Sequence, residues 1–563
     1  MINETVKLNE MCLFTELFLA ISIMYLTLFS LLVSYNSKYR FPLMQSSLIN
    51  LSILVLLMSC YLLVNENLNT VKFNCFFNSI VYDYLSFFSK FYISLLSAVS
   101  LLFIKDYVIF QKINRFEYVV IILLSILGLF LLCSANDFLT VYLGMELQSL
   151  SFYLLAAFKR RSSYAVDAGL KYFILGSLSS SLFLFGASYL YGIFGSINFD
   201  DMRKLSMINF LTRPDSTPYK FPLEIIVDGI AGGLNPSDLG ECAPCWRKKL
   251  MNIWLICKVL APRVAEVHEL DPSIFSYGIT ASMLFIFFSL FFKLSLAPFH
   301  LWSPDVYENS PSSSSFFFAV VPKIAIFVVL IRLSYNSIYF SFDWLKEILA
   351  LITLLSVLGG SLGGLYQRQV KSILAYSSIS HMGYVMIAFM SNSLLGLEML
   401  FFYLIIYSMS GLLIWSILIL TRLKETDHIK QNKNLADFVL LYKMNYMLAL
   451  FMMSALFSIA GIPPTIGFIA KLNIFQVAIS NHFFVIATMS VLFSVISTFF
   501  YLRFIKVMYF EPVLVGRLYY PISSDKVVIL VILFYLIFLL FINPTMLYLV
   551  CHKLILKYLI SPV

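Results

Sequence analysis

FIFFSLFFKLSLAPFHLW, residues 285–302, decides the fold class. Apolar residues run up to Lys293 and resume beyond it, and Pro298 follows five positions later. A segment this apolar belongs in lipid, where an ionisable side chain is costly unless paired or wetted. A proline there removes a backbone hydrogen bond and kinks or breaks the helix. The stretch therefore reads as a broken transmembrane helix carrying a buried lysine. Further along, IPPTIGFIAKLNIF, residues 462–475, repeats the combination: Pro463 and Pro464, between Gly461 and Gly467, precede Lys471. Broken helices at mid-membrane mark transporters built from inverted repeats.

Composition extends this reading to the whole chain. Its 563 residues are 60% hydrophobic, 17% aromatic and only 12% charged, with a mean hydropathy of +0.88. A soluble domain carries about 25% charged residues, so a water-exposed globular protein is excluded. The net charge of +9 invites a nucleic-acid partner. That reading fails, because the positive charges sit in short links between apolar runs, where membrane topology places them.

Apolar stretches bounded by charges predict about fourteen spans, near 11–34, 41–64, 79–104, 117–134, 138–158, 168–195, 274–300, 314–334, 345–366, 370–391, 394–421, 446–472, 481–502 and 527–550. The first run lacks the marks of a cleaved leader and reads as a retained helix. Lys and Arg concentrate in the links after spans 1, 3, 5, 9, 11 and 13, among them Lys38, Arg40, Lys159, Arg160, Arg161, Arg368, Lys371, Arg422 and Lys424. The positive-inside rule puts those links in the cytoplasm or matrix and the N-terminus on the other side. The predicted organisation is N-terminal helices in 1–116, a first five-helix repeat in 117–334, a second in 345–505, and a C-terminal helix in 506–563. The two repeats place Lys293 and Lys471 each in the fourth helix of its unit.

Residues 196–273 are the one long polar interruption, dense in Pro and Gly, and read as an outer-side loop that folds little by itself. Cys242 and Cys245 form a C-x-x-C, with Cys257 and His268 as further donors, a candidate zinc site. The plainer reading is a flexible insertion, with a disulfide if its compartment is oxidising.

The informative residues are ionisable groups inside apolar runs: Glu146 in FLTVYLGMELQSLSFYLL, Lys293, Lys323 in FFFAVVPKIAIFVVLI, and Lys471. His300, His381, Lys171, Lys90, Glu398 and Asp137 extend the thread. For Lys90, Lys171, Glu398 and Asp137 a snorkelling or fixed structural pair is an equal reading. Lysine rather than arginine suits a site that must change charge, because a desolvated lysine can lose its proton near neutral pH and arginine cannot. Glu146, if near Lys293, stabilises the ammonium form, and withdrawing it favours proton release. His300 lies seven residues and so two turns beyond Lys293 on the same face, which on a broken helix below a buried lysine suits a proton relay. His381 stands among Ser377, Ser378 and Ser380, which can hold water. No G-x-G-x-x-G, P-loop, iron–sulfur cysteine spacing or nucleophile elbow is present. Redox or ATP chemistry, if it drives the transport, therefore belongs to another polypeptide.

PFHLWSPDVYE (298–308) and SIAGIPPTIGFIAKLNIF (458–475), with NDFLTVYLGMEL, LKYFILGSLSSSLFLFG and QVKSILAYSSISHMGY, resemble in collinear order the antiporter-like subunits of NADH:quinone oxidoreductase, respiratory complex I, and subunit 2 best. The related Mrp-type antiporters share P-F-H-x-W. The resemblance implies an all-α polytopic fold of fourteen helices with two inverted five-helix repeats, serving as a membrane-arm subunit of a proton pump. It assigns proton translocation to Glu146 on the fifth helix, Lys293 on the broken seventh, Lys323 on the eighth and Lys471 on the broken twelfth. His300, His381 and Lys171 are the relay candidates. It also implies NADH, FMN, iron–sulfur clusters and ubiquinone on other subunits, and none on this chain. The implied partners are the neighbouring antiporter-like subunit, a lateral helix from subunit 5, and lipid; the implied location is the mitochondrial inner membrane. Asn309 and Ser312 to Ser315 depart from the family's usual Gly and Thr-Pro, and the stretch 210–270 exceeds its short loop. The competing readings are a stand-alone cation/proton antiporter and a structural scaffold with fixed charge pairs.

Overall fold

The chain forms helices wherever an apolar run is long enough to satisfy its own backbone in lipid. The computed structural model describes residues 13–34, 45–65, 73–211, 272–337, 342–424, 429–511, 519 and 522–560, apart from residues 77, 112, 114 and 440. Three helices come first: α1 (Phe14–Ser34), α2 (Gln45–Asn65) and α3 (Tyr84–Phe110). Then follow α4 (Phe116–Ser134), α5 (Phe138–Ala156), α6 (Ser163–Phe194), α7 (Phe199–Leu211), α8 (Pro272–Leu294), α9 (Trp302–Asn309), α10 (Ser312–Val320) and α11 (Pro322–Ile331). The second half holds α12 (Phe342–Leu365), α13 (Val370–Met390), α14 (Leu394–Leu420), α15 (Tyr446–Ala460), α16 (Ile466–Ser480) and α17 (Phe484–Tyr509), and α18 (Ser524–Ile542) and α19 (Thr545–Ile560) end the chain. Two short antiparallel hairpins join β1 (Phe73–Cys75) to β2 (Ile80–Tyr82) and β3 (Arg422–Lys424) to β4 (Ile429–Gln431).

Among the described residues, twelve runs are long and apolar enough to cross a membrane, with α10 and α11 forming one of them from Ser312 to Tyr335. The other two expected spans correspond to α8, whose 23 residues end at the first break, and to the broken pair α15/α16, of 15 residues each. This is the all-α polytopic membrane architecture that the hydropathy predicted. The central helices are α10–α11, α13 and α14, buried on nearly every side. By contrast α1, α6, α17 and α18 leave most of their surface outward, with apolar side chains such as Ile21, Leu32, Phe173 and Leu178 exposed, as a lipid-facing wall requires.

The structure differs from the sequence reading at two places. The long interruption does not begin as a loop: Phe199 and Met202 are fully buried, and the Asn136 amide donates to Asn198 Oδ1 at 3.2 Å and Asp200 Oδ2 at 3.0 Å, which anchors α7 at once. Cys242, Cys245, Cys257 and His268 lie outside the described residues. Among the described residues no group of three His, Cys, Asp or Glu is placed to hold a metal. The last span also ends earlier than expected, at Ile542, since Pro544 cannot extend the ladder. The chain restarts as α19, which lies along α14 and α3.

Both helix breaks close their backbone in the same way. At the end of α8, Ser295 takes φ +59°, Ser295 N–H donates to Phe292 O at 3.0 Å and Leu296 N–H to Phe291 O at 3.0 Å. At the end of α15, Gly461 takes φ +79°, Gly461 N–H donates to Ser458 O at 3.2 Å and Ile462 N–H to Phe457 O at 3.0 Å. These paired bonds are the Schellman termination, so orphan carbonyls at mid-membrane are satisfied without water. The second break also needs close approach. A Cβ on Gly467 would stand 1.8 Å from the Ser458 carbonyl oxygen, a backbone atom that can yield only if α15 and α16 separate. Gly467→Ala is therefore expected to cost about 1–3 kcal/mol and to lower the thermal midpoint of the solubilised assembly. An unchanged midpoint would show that the two half-helices are not locked there.

Candidate functional site

Three buried lysines occupy positions set by these breaks and by Pro322. Lys293 lies in the last turn of α8, where the negative end of the helix dipole favours a cation. The Trp302 indole N–H adds a second bond to Phe292 O, at 3.0 Å. Lys293 Nζ is buried without a hydrogen-bond partner among the described residues and lies 5.8 Å from the centre of the Tyr153 ring. Glu146, half-buried on α5, acts on it through charge across a gap and not through contact. The partnership expected from the sequence is electrostatic and is not a closed ion pair.

A small cavity adjoins Lys293 and Lys323 and is lined further by Gln148, Tyr172, Ser295 and Tyr307. It has room for about one water molecule with several polar neighbours. Lys323, in the first turn of α11 just after Pro322, donates to Tyr407 Oη at 2.7 Å. Beyond Tyr407 a second cavity is lined by His381, Tyr403, Ser410 and Ser458. The His381 ring is held from both sides, Nδ1 at 2.6 Å from Tyr403 Oη and Nε2 at 3.3 Å from Tyr501 Oη. Lys471 follows, donating from Nζ to Ala460 O at 2.8 Å and lying 5.3 Å from the centre of the Tyr384 ring. Its ammonium thus rests on the C-terminal end of α15, whereas Lys293 belongs to the last turn of α8 and its Nζ meets no carbonyl among the described residues.

Glu146, Lys293, Lys323, His381 and Lys471 therefore form one row from α5 to α16, with tyrosine hydroxyls and water-sized cavities between them. Other sequence candidates lie elsewhere. Because α8 ends at Leu294, His300 shares no helical face with Lys293; it sits in the unwound stretch against Gly359 of α12. Lys171 is on the outside of the bundle, paired at 2.7 Å with Asp305 of α9, both side chains more than half exposed. Lys90 is fully buried and pairs with Glu16 of α1. Glu398 accepts from or bonds to His552 Nδ1 of α19 at 2.6 Å. Asp137 precedes α5 at the membrane boundary, where burial and the nearby Asp201 and Asp200 push its carboxyl up to about 6.

Sequence reasoning missed Tyr403, Tyr407 and Tyr501, and the buried pair of Arg332 with Asp83 at 2.7 Å. One signal was available. FFYLIIYSMSG, residues 401–411, puts two tyrosines one turn apart in an otherwise apolar run, which predicts two hydroxyls on one buried face. The serines that replace the family's Thr-Pro are accommodated: Tyr118 Oη donates to Ser313 Oγ at 2.7 Å, and Ser314 Oγ donates to Leu155 O at 2.8 Å.

A family described as NADH:quinone oxidoreductase/Mrp antiporter, TM, matches residues 135–215 and 263–497. The chain is 32% identical over 543 residues to NADH-ubiquinone oxidoreductase chain 2 of Marchantia polymorpha, covering 96% of this chain and 97% of that one. It is 33% identical over 466 residues to NADH-quinone oxidoreductase subunit N of Paramagnetospirillum magneticum, covering 82% and 83%. In fold it is similar to a chain of respiratory complex I from Thermus thermophilus, with TM-score 0.69 and 24% identity over 95% of this chain and 98% of that one. It is similar too to a chain of the Mrp complex from Dietzia sp. DQ12-45-1b, with TM-score 0.73 and 16% identity over 96% of each. On these matches, which span the broken helices and every lysine of the row, the chain belongs to the NADH:quinone oxidoreductase/Mrp antiporter transmembrane family, alongside its chain 2 and subunit N members.

Proposed function

We propose that this chain is a proton-translocating membrane-arm subunit of NADH:quinone oxidoreductase. The observation that carries the reading is the row itself: three lysine side chains held inside the membrane without a carboxylate in contact, joined by hydroxyls and water-sized cavities. A scaffold would pair such charges, as Lys90 with Glu16 and Arg332 with Asp83 are paired. Leaving Lys293 unpaired serves a site that exchanges protons. Quinone reduction elsewhere in the complex alters the charge near Glu146, Lys293 responds across the gap, and a proton passes along the row toward Lys471. Relay duty within the row falls to His381 and beside it to His300, with the Lys171–Asp305 pair on the exposed surface at α9.

In this reading residues 117–334 and 345–505 are the two five-helix units. The Lys/Arg-rich links face the matrix, the N-terminus faces the intermembrane space, and the membrane is the mitochondrial inner membrane. NADH, FMN, iron–sulfur clusters and ubiquinone are bound by other subunits. The neighbouring antiporter-like subunit, the lateral helix of subunit 5 and lipid cover the apolar outer faces.

The test is a native gel of gently solubilised membranes, combined with proton translocation by vesicles holding the whole complex. This chain is expected in the band that oxidises NADH. Glu146→Gln combined with Lys293→Met is expected to leave that band intact and to slow NADH-driven proton translocation at least about 10-fold, the low end of what a positioned proton-transfer group contributes. Undiminished translocation would favour a scaffold. The fold shared with the Mrp complex keeps one second reading, a cation/proton antiporter subunit. Finding the chain in a redox-silent assembly that exchanges sodium for protons would establish it instead.

A further inference from the structure

We infer that Tyr407 is the relay that joins the two halves of the lysine row, passing protons from Lys323 into the cavity beside His381. The inference rests on the proton-translocation reading above and adds one residue to it. Lys323 is buried on α11, and the hydrogen bond in which its Nζ donates to Tyr407 Oη at 2.7 Å is the one that leads on toward His381. Among the described residues no second charged group intervenes, and His381 itself has both ring nitrogens engaged by Tyr403 and Tyr501.

The hydrogen-bond roles around Tyr407 fit a relay. Its oxygen already accepts from Lys323, so its own O–H proton is free to be given elsewhere. The recipient is the cavity lined by Tyr407, His381, Tyr403, Ser410 and Ser458, which offers a water site. The aromatic faces of Tyr407 and His381 stand 5.5 Å apart, centre to centre. A hydroxyl that accepts on one side and donates on the other can move a proton without becoming charged. Lys323 gives one proton to Tyr407 Oη, and the O–H bond already there breaks and delivers its proton to the cavity water. That water hands on a proton of its own toward Lys471. Lys323 ends neutral and Tyr407 ends as it began, so one proton has crossed between the units and no tyrosinate is formed.

Tyr92 of α3 is the comparison. Its buried hydroxyl bonds Ser408 Oγ at 2.7 Å and Ile405 O at 3.2 Å on the same helix as Tyr407, outside the row. The experiment compares Tyr407→Phe, Tyr92→Phe and Lys323→Met in the assembled complex, reading protons translocated per NADH and the solvent deuterium isotope effect on translocation. Phenylalanine keeps the ring and its packing and removes only the hydroxyl. Tyr407→Phe is expected to lower translocation at least about 10-fold, approaching Lys323→Met, while Tyr92→Phe lowers it by about 3-fold or less and retains the isotope effect. Wild-type translocation by Tyr407→Phe with loss in Lys323→Met would overturn the tyrosine relay and leave the pump reading intact. Wild-type translocation in Lys323→Met would remove the pump reading itself. If Tyr407→Phe does not assemble, Tyr407→His decides, since imidazole also accepts on one nitrogen and donates on the other. Translocation within about 3-fold of wild type supports the relay, and a loss as deep as that of Lys323→Met overturns it.

Discussion

Lys471→Met is expected to leave the complex assembled and to reduce NADH-driven proton translocation by two orders of magnitude or so, within the range that positioned proton-transfer groups contribute. Lys471→Arg is expected to fail equally. The two variants separate charge from titration. In the wild type the Nζ of Lys471 donates to Ala460 O, at the C-terminal end of α15, so methionine removes a cation from a site that favours one and leaves a carbonyl unpaired, at about 1–3 kcal/mol. Arginine can still donate to that carbonyl and keep the break capped, yet it cannot give up its proton. Gly461 allows the lysine stem to pass, since a Cβ there would stand 2.7 Å from Lys471 Cδ; a longer arginine uses the same channel. Proton uptake by vesicles on NADH addition measures the effect. Normal translocation by the arginine variant would show that Lys471 acts as a fixed charge.

The second large effect lies away from the row. Asp83→Ala is expected to destabilise the chain by about 3–5 kcal/mol, the range for stranding one partner of a buried ion pair, and so to deplete the assembled complex on native gels. Arg332 is fully buried, and Asp83 Oδ1 accepts from its Nη2 at 2.7 Å. The guanidinium Nε and Nη1 have no other hydrogen-bond partner among the described residues. Asp83 also accepts from Ser86 N–H at 2.9 Å and so caps α3, adding about 1 kcal/mol to the loss. The pair ties the N-terminal three helices to the end of the helix that carries Lys323. Replacing both members by leucine removes the charges together and is expected to recover most of the assembly, because apolar replacement of a buried pair is often neutral. Failure of the double variant to recover would mean that the pair contributes contacts that leucine cannot supply.

The two broken helices were legible because their chemistry is local. Pro298, Pro463 and Pro464 cannot continue a hydrogen-bond ladder whatever surrounds them, and a lysine in an apolar run is conspicuous on any background. Glu146, Lys293, Lys323 and Lys471 were found by that rule, and the structure sets them in one row with His381. His300 shows where the same rule stops. Its spacing from Lys293 predicted a shared face, which holds only where the helix continues, and the unwinding after Leu294 turns it toward α12 instead. Lys171 shows another limit, for a lysine in an apolar run can point outward as readily as inward, and this one meets Asp305 on the surface.

Sequence by itself determined the membrane setting, the succession of spans, the two breaks and which ionisable residues stand inside apolar runs. These follow from hydropathy over one bilayer thickness and from what proline and lysine do to a helix in lipid. Tertiary structure alone decided which charges are closed and which are open. Lys90 meets Glu16 across 74 positions and Arg332 meets Asp83 across 249, while Lys293, identical in type, is left unpaired beside a cavity. It also decided that Tyr407, an unremarked aromatic in an apolar helix, stands between Lys323 and His381. Partners so distant along the chain leave no local pattern, because what brings them together is the packing of whole helices.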